Sequence, residues 1–203
     1  MKPTHIADRK AREELVRWLE RFAQRRRPIR VVKKSEYWHQ RAAGAALWAV
    51  TFGGQNKYLT HYVTTLGHTI YVPDDFDDWE PTRALEILRH EAVHVAQFER
   101  YGWVLMVLFY GVLPLPMGLA WFRARLEWEA YEETLRAVAE IEGLAAARAP
   151  ALRAEIVRRF TGPDYGWMWP FPRTVERWID EALVKIEGEL ARKAPSTPSA
   201  EKG

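Results

Sequence analysis

Leu15, Trp18, Leu19 and Phe22 recur at i, i+3, i+4 and i+7, which gathers their side chains on one side of a helix. This pattern predicts an amphipathic helix over residues 8–27, stopped by Pro28. The run RRRPIRVVKK that follows is basic and reads either as a solvated face or as a contact for acidic lipid headgroups. A short apolar patch, AAGAALWAVTF, ends at Gly53 and Gly54. Tyr, Thr, Val and Ile then crowd KYLTHYVTTLGHTIYVP around the turn residue Gly67, predicting a β-hairpin with strands over 58–65 and 68–72. DDFDDWEPT is a loop, and Pro81 suits the first turn of a helix over 82–101 that Gly102 ends from the C′ position. A long helix over 119–147, a further helical stretch, the aromatic loop FTGPDYGWMWPFP and a helix over 174–192 complete the pattern. The expected fold is mostly α with a small β-sheet (α+β), one domain over 1–192 with a disordered tail over 193–203.

One stretch breaks the alternation. From Gly102 to Phe122 no residue is charged, and about twenty apolar residues is the length that spans a bilayer. Leu113 to Pro116, LPLP, stops any continuous helix there, because two prolines cannot continue it. The segment therefore reads as two short apolar arms around a turn, packed in the core or dipping into a membrane interface, with both flanks on one side.

Composition narrows the chemistry. Across 203 residues, 48% hydrophobic content and ten tryptophans argue for a folded chain. A net charge of +3 is too small to imply nucleic acid as a partner. With no cysteine, thiolate metal sites, cysteine nucleophiles and disulfides are excluded, so a metal would need His, Asp or Glu. The charged N-terminus has no apolar signal region, which predicts a cytoplasmic protein without a signal peptide, possible membrane association apart.

The stretch RHEAVHVAQ carries the candidate chemistry. His90 and His94 stand four apart, on one helical face, and can present two imidazoles to one cation. Glu91 projects about 100° round the axis, near enough to serve as general base without being a ligand. The bland alternative is a core-lining helix whose histidines are satisfied by hydrogen bonds. Leu88, Val93 and Ala96 put apolar surface beside the histidines, where unpaired imidazoles would be costly. A catalytic zinc also needs a third protein ligand. Gln97 and Arg100 rule out the glycine and histidine of the metzincin continuation, which leaves a glutamate from a later helix.

That helix begins RARLEWEAYEE, and HEAVH followed by EWEAY resembles the gluzincin class of zinc metallopeptidases. The layout is also similar to small bacterial zincin-like proteins. In gluzincins the third ligand is the first glutamate of an E-x-x-x-D motif. The resemblance implies zinc held by His90, His94 and Glu127, Glu91 as general base, and a peptide or protein substrate. Tyr131 stands where the class commonly has an aspartate that orients a ligand histidine. Helix geometry agrees on the glutamate: Leu126, Ala130, Ala137, Val138 and Ile141 form the buried stripe, and Glu127 lies about 60° from Ala130 against about 100° on the other side for Glu129. By the same resemblance HTIYVP is an edge strand that pairs with an extended peptide, and His68 or His61 either faces the cleft as an oxyanion stabiliser or is a solvent-facing strand histidine. Three readings stand: a zinc peptidase, a non-catalytic zincin-like binding module, and a membrane-associated structural protein.

Overall fold

Helices carry most of the described chain, beside one small three-stranded sheet. The structure, a computed structural model, describes residues 3–36, 63–108, 120–162 and 167–193. Helix α1 (Pro3–Gln24) ends before Pro28 as its pattern predicts. Strands β1 (Arg30–Lys33), β2 (Thr64–Leu66) and β3 (Thr69–Val72) form the sheet. Five helices follow: α2 (Pro81–Val107), α3 (Trp121–Ile141), the single turn α4 (Leu144–Ala147), α5 (Pro150–Thr161) and α6 (Pro172–Lys193). The mostly helical α+β reading of the sequence is the observed one.

Three local expectations change. The basic run is not simply a solvated face: Arg30–Lys33 pairs in parallel with β3, Val31 opposite Ile70, and Lys34 just beyond it is buried. HTIYVP is not an edge strand either. β3 lies between β1 and β2, all four of its residues are buried, and the edges belong to its neighbours. A continuous apolar run fits a strand covered on both faces. The long helix over 119–147 breaks at Gly143, whose φ of +98° a side chain would resist, and the NH groups of Glu142 and Gly143 both cap the Val138 carbonyl.

The helix does not end at Gly102 as expected: there φ is 74° and ψ 168°, a region that favours glycine, so α2 kinks and resumes a helical course to Val107. Gly67 turns the β2–β3 hairpin at φ +59°, and a Cβ there would meet Trp103 Nε1 at 3.3 Å. The hairpin turn is thereby seated on the end of α2. Residues 58–62 of the expected first strand, residues 109–119 of the uncharged segment and the expected tail from 194 onward lie outside the described residues. Among the described residues no helix is long and apolar enough to cross a membrane.

Two apolar clusters flank α2 and α3. Phe22, Ile29, Ile70, Val72, Leu88 and Val95 join α1, the sheet and α2. Trp128, Leu135, Phe160, Ile179 and Ile186 join α3, α5 and α6. Each such side chain contributes about 1.5–3 kcal/mol when buried, so the two helices are held from opposite sides. Between them Arg89 bonds Glu133 at 2.6 Å and Glu140 at 2.7 Å, fixing the rotation of α2 against α3 one residue before His90. The seam between α2 and α3 is where the candidate site forms.

Candidate metal centre

His90 and His94 lie one turn apart on the face of α2 that meets α3, with ring centroids 5.1 Å apart. Across the seam stands Glu127, on the buried side of α3 with Leu126 and Ala130. Its Oε2 is 3.7 Å from His90 Nε2 and 3.9 Å from His94 Nε2. One donor atom from each residue lies within 4.8 Å of the others, and among the described residues this is the one His, Asp and Glu group so arranged. Glu129 points elsewhere: it accepts from Gln97 Nε2 at 3.0 Å and pairs with Arg100.

The outer hydrogen bonds decide which imidazole nitrogen faces Glu127. Gln97 is fully buried, and its amide nitrogen donates to the Leu126 carbonyl at 2.9 Å and to Glu129. Its oxygen therefore faces His94 Nδ1, at 2.9 Å, and accepts a hydrogen bond from it. Thr134 works the same way on His90. Its hydroxyl donates to the Ala130 carbonyl at 3.2 Å, so it accepts from His90 Nδ1 at 3.1 Å. With the proton of each neutral ring on Nδ1, both Nε2 lone pairs are directed at the Glu127 side. Two imidazole nitrogens and a carboxylate oxygen, buried and close together, form a group that could hold a metal ion.

The electrostatics are consistent with a site that concentrates charge. Burial works to raise the Glu127 carboxyl, but the facing His90 and His94 rings and Arg123 outweigh it and hold it at about 2. Burial works to lower His90, and the carboxylates of Glu127 and Glu91 overcome that, so its pKa is raised above 6.5. The same carboxylates that favour a positive His90 ring would favour a bound cation, which competes with the proton for Nε2.

Glu91 is buried on the neighbouring flank of α2, and Thr65 Oγ1 of edge strand β2 donates to its Oε2 at 2.7 Å. Lys34, almost fully buried past the end of β1, faces the same carboxylate. Burial pushes its ammonium down to about 8 while the Glu91 charge pulls it up. Tyr131 sets its ring against His90 at 4.9 Å, nearly perpendicular, while the side chain that accepts the hydrogen bond of that imidazole is Thr134. His68 is bonded to Glu99 at 3.1 Å, beside Arg25, rather than gathered with the triad. His61 lies outside the described residues.

From sequence, Thr134, Thr65 and Lys34 have no role, and Gln97 only that of excluding the metzincin continuation. Two of them left a signal. Gln97 follows His94 by three, and Thr134 follows Glu127 by seven, so each shares a helical face with a triad member. Thr65 and Lys34 reach Glu91 through tertiary packing, which no local spacing encodes. No protein-family model matches the chain, and no curated protein and no solved structure matches it.

Proposed function

We propose that this chain is a zinc-dependent hydrolase of peptide bonds. The observation that carries the reading is the convergence of His90 Nε2, His94 Nε2 and the Glu127 carboxylate in one buried seam. Glu91 stands one residue from the first ligand, as the H-E-x-x-H arrangement requires of its base. A divalent cation held by the three residues would supply Lewis acidity, making water acidic near neutral pH and polarising a carbonyl oxygen. The remaining work belongs to the protein. Glu91 accepts the proton of the attacking water and returns it to the leaving amine. Thr65, bonded to Oε2, fixes the direction of that carboxylate and leaves Oε1 as the proton-accepting oxygen. Gln97 and Thr134 hold the two imidazoles in the tautomer that leaves the Nε2 lone pair open to a cation.

Glu91→Gln tests the proposal, since it keeps the shape and removes the base. The variant is expected to hold as much zinc as wild type and to hydrolyse a peptide library at least about a hundredfold more slowly. Loss of the metal would make Glu91 a ligand and sink the assignment. A wild-type protein that holds zinc but cleaves nothing would favour a binding module instead.

A further inference from the structure

The end of the molecule beyond the triad brings together two features that are far apart in the sequence. Helices α1 and α2 run side by side in the same direction: Ala11 packs with Leu85, the Arg89 guanidinium lies 5.6 Å over the Trp18 ring, and Arg25 bonds Glu99 at 2.7 Å. The C-terminal end of α1 therefore arrives beside the end of α2, and there Arg25, Arg26 and Arg27 are exposed, with Arg30 close behind. Helix α3 packs on α2 in the opposite direction, His90 against Tyr131 and Gln97 against Leu126, so its first residues return to this same end. Around it Trp103, Val104, Leu105, Leu108, Trp121 and Phe122 are all exposed, Val104 to 81% and Trp103 to 56%. The sequence joining the two groups, Gly102 to Phe122, contains no charged residue.

We infer that this end is a docking face for a membrane surface that carries acidic lipids. Six large apolar side chains exposed at one end are more than a soluble surface ordinarily leaves bare. Tryptophan is the side chain that settles at the boundary between headgroups and acyl chains, and one stands on each flank. The arginine rim supplies the charge that anionic headgroups attract. Its acidic members do not cancel it: Glu99 is engaged by Arg25 and His68, and Glu129 by Arg100, so Arg26, Arg27 and Arg30 set the sign. His94 precedes Trp103 by nine residues, about 13 Å at the rise of a helix, so the triad stands close above the docked surface. Docking does not depend on the metal.

The test is sedimentation of the full chain with vesicles of phosphatidylcholine alone and of phosphatidylcholine mixed with phosphatidylserine, with and without chelator. The protein is expected to sediment with the mixed vesicles, less so in high salt, and equally with chelator present. Val104→Asp, at a site with no buried packing to lose, should lower partitioning at least about tenfold while circular dichroism stays unchanged. Arg26→Glu with Arg27→Glu should lower binding to the mixed vesicles at least about tenfold. Failure to sediment with either vesicle overturns the inference. So does a dimer in sedimentation equilibrium that Val104→Asp dissociates without any vesicle binding, which would make a second copy of the chain the occupant.

Discussion

Gln97→Leu is the most informative single change, because it keeps the volume of a fully buried side chain and removes only its hydrogen bonds. Three are lost, to His94, Leu126 and Glu129. They are not equal. The Leu126 carbonyl keeps its place in the helix ladder of α3, and the Glu129 side chain is 37% exposed, so water replaces its partner. The His94 Nδ1 proton has no such recourse, and a buried donor left without an acceptor costs about 1–3 kcal/mol. The chelator-treated variant should therefore be about 2 kcal/mol less stable in denaturant unfolding. The imidazole also loses the contact that fixes its tautomer and direction, which should weaken zinc binding about 10–100-fold in competition with a chromophoric chelator. If Gln97→Leu lowers stability as stated but leaves zinc affinity within about twofold, Gln97 is a packing group and the orienting argument is wrong.

The other expectations concern the neighbouring groups. Glu127→Gln should weaken zinc binding strongly while Glu129→Gln leaves it within about tenfold of wild type; the reverse order in a titration would move the ligand role to Glu129. Thr65→Val, nearly the same shape, should leave zinc binding unchanged and slow peptide hydrolysis about tenfold by freeing the Glu91 carboxylate, and an unaffected rate would remove Thr65 from the site. In chelator-treated protein His90 has its pKa raised above 6.5, so its contribution to stability is complete below that pH and is lost as pH rises through the folded value. The metal needs the deprotonated ring, so the gap in melting temperature between zinc-loaded and stripped protein should widen across that range, and a constant gap would contradict the coupling.

Much of this site is visible in the chain because it is helical. The i, i+4 spacing fixes His90 and His94 on one face, and the buried stripe of α3 puts Glu127 on its shoulder and Glu129 off it. What could not be read is what crosses between elements. β1 has two basic ends and no alternation, so its sequence resembles a solvated run until β3 offers it a parallel partner. Burial of Lys34 follows from that pairing. β3 reads as an edge only while β1 is missing, and Thr65 meets Glu91 only because the hairpin is seated on α2. Gly143 was visible as a residue type, but the apolar spacing that continues past it concealed the break.

His90, His94 and Glu127 are proposed to hold one transition-metal ion. Zinc titration of chelator-stripped protein, followed by calorimetry and by elemental analysis after dialysis, tests it most directly. About one zinc per chain is expected, with binding lost or severely weakened in both His94→Ala and Glu127→Gln. A wild-type protein that takes up no zinc, or one that binds it equally well after both substitutions, would contradict it.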